Sequence, residues 1–245
     1  LSLLLLRRSD DVLHTPRDLQ PIVERHPLLT VLPDDPREGP RSFRSMRGHD
    51  PTANAVRQLR DMLPMSSLGR DPRVIVVCGV SQGAGATLTA THLAAVIVET
   101  GRSVVLVDAD LRRPSIHHVL GVDGSTGLFD ALGAEPLDMV LLPIDDSASL
   151  LPAGRQVDSP LPLFSRKHME LVMAELRGTF DYVIIDAPAV LDHGDAVALA
   201  RHADAVVVVI PLSTRRRDAE RAIDTLTSNL APVVGVVFNQ HDPFR

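Results

Sequence analysis

Residues 74–90, VIVVCGVSQGAGATLTA, leave the chain few ways to fold. Val74 to Val77 is a β-branched run with the composition of a fully buried strand. Gly79 to Gly85 forms a glycine-rich turn, and Thr87 to Glu99 reads as a helix that is apolar nearly all round. Strand, glycine loop and buried helix make up a P-loop, in which backbone N–H groups at a helix N-terminus cradle phosphate. The position directly after Gly85 should carry the lysine that meets the β- and γ-phosphates, and it is Ala86. The cradle stands without its cation.

The rest of the chain alternates strand and helix. Strands are expected at 28–32, 103–108, 181–186, 204–210 and 233–238, with helices at 15–26, 52–63, 114–120, 166–177, 194–202 and 216–230. Thr15-Pro16-Arg17-Asp18 has the N-cap, first-turn proline and early acid of a helix start. Met169, Val172, Met173 and Leu176 repeat at helical spacing as core positions. Strands apolar throughout and separated by helices predict a mostly parallel sheet with helices on both faces, an α/β fold of P-loop NTPase type. Residues 33–51 hold Pro, Gly and Arg with no apolar period, which predicts a solvated linker. The expected division is therefore a lead-in segment and linker over 1–51 and a P-loop domain over 52–245.

A formal charge of −6 argues against nucleic-acid binding through bulk charge. Cys78 is the only cysteine, so no intrachain disulfide can form, and its place at the end of a buried strand makes it a core residue. The first eight residues, LSLLLLRR, allow two readings. One is a hydrophobic start packed on the domain. The other is the cytoplasmic end of a membrane span lying upstream, with Arg7 and Arg8 behind it; six positions alone fall far short of the roughly 18 a span needs.

Ligands of such sheets bind outside the carboxyl ends of the strands. SVVLVDAD places Asp108 and Asp110 at one strand end, and DYVIIDAP places Asp186 at another. A carboxylate there either caps the next turn or faces the site. Two such strands beside a phosphate loop predict a magnesium site, with Thr87 supplying a hydroxyl.

GVSQGAGATLTATHLA, VVLVDADLRRPSIHHVLG and FDYVIIDAPAVL resemble the three nucleotide motifs of bacterial tyrosine kinases, a family in the same broad class as septum-site and partition ATPases. DADLRRP is the most specific of these stretches and points to the cytoplasmic domain of exopolysaccharide and capsule chain-length regulators. TPRDLQ, HPLLTVLP, LLPAGRQVDSPLPLFS and VVGVVFNQ extend the resemblance over most of residues 15–240. It implies ATP or ADP with Mg2+ as cofactors. Gly83, Ala84, Gly85, Ala86, Thr87 and Leu88 would line the phosphates and Asn239 would lie near the base. Thr87, Asp108 and Asp186 would serve the metal, and Asp110 would help activate the accepting hydroxyl. It further implies a place at the cytoplasmic face of the bacterial inner membrane, an upstream span of about 20 residues, the polysaccharide polymerase and export machinery as partners, and homo-oligomers formed through the 52–63 helix.

The chain departs from the family at four points. Ala86 replaces the lysine, and Leu88 replaces a hydroxyl beside it. Asn54 stands where the family's Glu-x-x-Arg-x-x-Arg subunit motif has its acid, before Arg57 and Arg60. Tyr182 is the only tyrosine, and the tyrosine-rich tail of the family has no counterpart in these 245 residues. The departures favour a regulatory pseudokinase. A working tyrosine kinase, with Arg112 or Arg113 as substitute cation, and a partition-type positioning ATPase are the competing readings.

Overall fold

Valine and isoleucine alternate between the two faces of the strands and demand cover on both sides, and the chain supplies it. A computed structural model describes residues 11–34, 41–67, 69, 71–164 and 167–240. Among the described residues eight strands form one sheet: β1 Leu28–Leu32, β2 Val74–Gly79, β3 Val104–Asp108, β4 Leu142–Asp145, β5 Ala148–Leu151, β6 Tyr182–Ala187, β7 Ala205–Pro211 and β8 Val233–Asn239. Their order is β1-β8-β7-β2-β6-β3-β5-β4. Every pairing is parallel except β4 on β5.

One face buries Val76, Val107, Ile185 and Val208 under α8 (Lys167–Thr179), α9 (Asp195–Ala200) and α10 (Arg216–Ser228), through Met169, Leu199 and Leu226. The other buries Ile75, Leu106, Ile184 and Val207 under α2 (Pro51–Ser66) and α3 (Ala86–Val98), through Leu59, Leu93 and Ile97. The sheet is thus dry on both sides, as parallel sheets require. Cys78 is buried within it, and desolvation pushes its thiol up to about 12, which fits an inert packing residue.

The expected strands, and the helices from 52 onward, lie within a turn of their observed positions. The helix expected over 15–26 is instead a 3-10 turn, Pro16–Leu19, running into the single turn of α1, Gln20–Val23. Pro21 has no amide hydrogen to donate back to Arg17, which breaks the α ladder there. Asp18 still accepts the Thr15 amide at 2.8 Å. The hairpin β4–β5 and the short helices α4 (Ile116–Leu120), α5 (Leu128–Leu132), α6 (Leu137–Val140) and α7 (Leu161–Phe164) complete the fold. Of these only α4 was expected, because four or five residues are too few to show a period.

The linker expectation over 33–51 needs correction for its described part. Phe43 and Met46 are buried, and Phe43–Arg47 forms a 3-10 turn that packs on α3 and touches β4. Arg44 pairs with Asp145 at 3.0 Å and Asp146 at 2.9 Å, and Arg47 also bonds Asp145. Two apolar side chains three residues apart dock the strap, and its arginines have specific partners. Since β1 is a strand of the common sheet, the sheet itself crosses the boundary expected at residue 51. The leucine-rich residues 1–8 and most of 33–40 lie outside the described residues. Among the described residues no helix is long and apolar enough to cross a membrane.

Arg57 binds the strap to the body of the protein. Its Nε and Nη2 form a bidentate pair with Glu99 at 2.9 and 2.7 Å. Nη2 also reaches the Arg47 and Gly48 carbonyls, and Nη1 donates to Asn54 at 2.9 Å. The guanidinium holds the Glu99 carboxyl below its ordinary range. Arg57→Ala is expected to lower unfolding free energy by about 2 kcal/mol. Arg57→Lys should recover less than half of that, since an ammonium cannot reproduce the fork. Urea denaturation of both variants measures this; a loss within experimental error would mean that Phe43, Met46 and the Asp145 pairs hold the strap without Arg57.

Candidate functional site

Strand β2 ends in the glycine turn, and α3 begins on its far side with Gly85 as the residue before the first turn. Gly83 and Gly85 adopt φ of +76° and +89°, a region open to glycine at little cost. At Gly79 a Cβ would come 2.6 Å from that of Ala84, so the turn's tightness excludes a side chain there. Asn239, buried at the end of β8, donates through Nδ2 to the Ala84 carbonyl at 3.0 Å. The structure thus gives Asn239 a direct role in holding the turn, beyond the base contact the resemblance implied.

Above the turn lies a cavity of about 660 Å³. Residues 81–89 line it together with Asp110, Arg113, Ser115, Pro188 and Asn239, and Leu32, Thr52 and Val56 form another part of its wall. Among the predicted residues, Gly83, Ala84, Gly85, Ala86, Thr87, Leu88, Asp110 and Asn239 are brought together here. Ala86 offers only a methyl group where a cation was expected, and Leu88 adds an apolar side chain to the lining.

Asp108 and Asp186 face each other in register on adjacent parallel strands, and both are sealed from solvent. The oxygens of Asp108 are already engaged. Oδ2 accepts the Ser115 and Ile116 amides at 3.0 Å each, capping the start of α4, and Oδ1 accepts the Asp110 amide at 3.3 Å. Asp186 is different: its Oδ2 is buried with no hydrogen-bond partner among the described residues. Burial pushes the Asp108 carboxyl up to about 7, against the pull of the Ile116 and Ser115 amides. Burial, and then the Asp108 charge, raise Asp186 well above the carboxylate range, with the Thr87 hydroxyl opposing.

These residues fit a divalent cation in part. An orphaned carboxylate oxygen beside a threonine hydroxyl suits a hard cation that keeps several waters. Asp108 already accepts three backbone amides, from Asp110, Ser115 and Ile116. The Thr87 hydroxyl lies 3.2 Å from that of Ser115, so the β3–α4 loop closes over the pair. Asp110 accepts the Arg112 and Arg113 amides at 3.2 and 3.0 Å and stays at the cavity edge. Among the described residues no cluster of three or more His, Cys, Asp or Glu could hold a metal by itself.

The remaining predicted residues lie elsewhere. Asn54, Arg57 and Arg60 are on α2, where Arg57 is committed to Glu99 and Arg60 donates to the Val96 carbonyl at 3.0 Å and pairs with Asp61. Both arginines expected to seek a neighbouring subunit already have partners within the chain. Tyr182 starts β6, about 13 Å along the strand from Asp186. Its hydroxyl donates to Asp71 at 2.6 Å, and burial followed by that contact pushes it up to about 12. Sequence reasoning missed Ser115, which touches both Thr87 and Asp108, and Gln82. Neither has a signal beyond its proximity to a motif.

Residues 72–242 match the ParA family, described as NUBPL iron-transfer P-loop NTPase. Putative tyrosine-protein kinase EpsB of Ralstonia solanacearum is 30% identical over 197 residues, which is 79% of this chain and 26% of that one. The chain thus spans about a quarter of that relative's length. The kinase domain of Escherichia coli tyrosine kinase ETK superposes with a TM-score of 0.84 at 22% identity, covering 92% of this chain and 94% of that domain. The septum site-determining protein MinD of Pyrococcus horikoshii, complexed with Mg-ADP, superposes with a TM-score of 0.59 at 24% identity, over 69% and 70% of the two chains. The two structural likenesses bear on the fold alone.

Proposed function

The chain belongs to the ParA-like P-loop NTPases, with bacterial tyrosine kinases among its relatives, and from that premise we propose that it is a Mg-nucleotide-binding regulatory module that has lost phosphoryl transfer. Its setting, in this reading, is a bacterial exopolysaccharide or capsule system at the cytoplasmic face of the inner membrane, joined to the membrane through an upstream span. Gly83 to Leu88 hold the phosphates through backbone amides, and Asn239 keeps the turn in shape. Thr87 and Asp186 hold the metal with Asp108 behind them, and Asp110 faces the accepting group. A bound Mg2+ would neutralise charge across the phosphates.

One observation carries the proposal: Ala86 heads α3 while the orphaned oxygen of Asp186 remains beneath the turn. The ground-state binding parts are kept in this reading, while the turn itself carries no cation to answer charge developing during transfer. One such electrostatic contact is worth roughly 3–4 kcal/mol in a transition state, or two to three orders of magnitude in rate. Binding suffers less, because the cradle acts equally on the ground state. Arg57 and Arg60 are engaged by Glu99, the Val96 carbonyl and Asp61 within the chain, so neither arginine is held in reserve for a second subunit.

Radiolabelled ATP separates this reading from a working kinase. Wild type is expected to label neither itself nor a tyrosine-containing partner peptide. Ala86→Lys should bind nucleotide more tightly by calorimetry while labelling remains low. Labelling by wild type that Asp108→Ala abolishes would overturn the loss of transfer and establish the chain as an active kinase.

A further inference from the structure

The two arginines after Asp110 have different fates. Arg112 turns into the protein: its Nε donates to the fully buried Asp195 at 2.6 Å, and Nη1 bonds the Asp158 carbonyl. Gln156 fixes its backbone, donating to the Arg112 carbonyl at 2.6 Å. This guanidinium is part of the frame of the loop.

Arg113 lines the cavity. Its Nη1 donates to the side-chain oxygen of Gln82, within the glycine turn, and its Nη2 meets Asp192 Oδ2 at 2.8 Å in the loop after β6. The Arg113 and Asp192 side chains are 38% and 29% exposed, and Gln82 is exposed. The guanidinium, at the cavity wall, therefore bridges the glycine turn and the β6 loop, held by partners that are in contact with water.

We propose that Arg113 is the cation for the terminal phosphate of a nucleoside triphosphate, in place of the missing lysine, and that Asp192 restrains it until such a ligand is bound. The inference rests on the nucleotide reading above and adds which end of the ligand is sensed. Three observations lead to it. Ala86 leaves the charge of a third phosphate unanswered from the turn. Arg113 is already bonded to a side chain of that turn, so it needs to give up only Asp192. A partly exposed ion pair contributes little, whereas a polyphosphate offers more charge in a geometry a guanidinium fork matches with two parallel bonds. Held this way, the triphosphate is distinguished from the diphosphate in the bound ground state, which a sensing module needs and transfer does not require.

The competing view is that the Arg113–Asp192 pair only staples two loops together. Calorimetric titration of the full chain with Mg-ATP and Mg-ADP separates the two, each variant being checked for an unchanged urea midpoint. Arg113→Ala is expected to weaken ATP binding about tenfold and ADP binding less than about threefold. Arg113→Lys should lie between wild type and Arg113→Ala. Asp192→Asn, which frees the guanidinium, should tighten ATP binding about threefold. A staple predicts that Arg113→Ala and Asp192→Asn move ATP affinity in the same direction, and that result overturns the proposal. So does an equal effect of Arg113→Ala on ATP and ADP. Wild type that binds both nucleotides while Arg113→Ala changes neither refutes the role of Arg113 and leaves the nucleotide reading standing. Failure of every variant to bind either nucleotide, Asp192→Asn included, overturns both.

Discussion

Asp186→Asn is expected to make the metal-free protein more stable than wild type at pH 8, by about 3 kcal/mol. Asp186 and Asp108 lie side by side, sealed from solvent, with one Asp186 oxygen unpartnered. In the unfolded chain both carboxyls ionise above about pH 4. In the folded protein burial keeps protons on the pair, up to about pH 7 at Asp108. The folded state therefore binds more protons across that window, and stability falls as pH rises through it. The Asp108 contribution is complete below about pH 4 and gone above about pH 7, and Asp186, which burial also raises, loses stability in the same direction as pH rises. An amide carries no charge and can donate to Asp108, so the variant should show a much flatter profile. The gap between the two proteins should widen from near zero at about pH 4 to its full value at pH 8. Guanidinium denaturation at those two pH values is the measurement. Mg2+ with nucleotide should stabilise wild type at pH 8 and leave Asp186→Asn nearly unaffected, since the orphaned oxygen is the one a cation would use. A variant less stable than wild type at pH 8 would show that the pair is satisfied in some other way.

Gly85→Ala is expected to have an effect of similar size and opposite sign, a loss of about 3 kcal/mol. Gly85 sits at φ +89°, where a side chain is strained whatever the space around it. A Cβ there would also overlap Asn239 Nδ2, which is buried and bonded to the Ala84 carbonyl at 3.0 Å. Asn239 can yield only by giving up that bond, and the turn then loses its support. The double variant tests the account: in an Asn239→Ala background the same glycine substitution should cost less by about 1 kcal/mol. Equal cost in both backgrounds would assign the whole effect to backbone strain. Thermal or urea unfolding of the four proteins gives the cycle.

The long strands and helices were legible because their signals are long. Val74 to Val77 and Ala205 to Ile210 are apolar throughout, and Met169, Val172, Met173 and Leu176 hold a helical period over two turns. The site was legible because its carboxylates terminate such strands. Less visible was which job each carboxylate holds. Asp108 and Asp186 look alike in sequence, yet the tight return into α4 spends the first on the Ser115 and Ile116 amides and leaves the second with a free oxygen. Arg112 and Arg113 present the same problem: adjacent residues point opposite ways, and only the distant Asp195 and Asp192 decide which is fixed and which lines the cavity. The strap at 41–50 was hidden by composition. Its docking depends on Phe43 and Met46 among polar neighbours and on Asp145, a hundred residues away in sequence.

That strap has a mechanical meaning. Between β1 at one edge of the sheet and α2, which packs on β1, the strap lies on α3 and touches β4 at the opposite edge. Arg57 knots the crossing at the C-terminal end of α3. Tension drawn along residues 11–34 meets β1 lying parallel to β8, where bonds across the direction of pull are loaded together in shear instead of being peeled one at a time. A domain tethered by this end would transmit force into its sheet as one body, and the P-loop at its centre would be carried along without being opened.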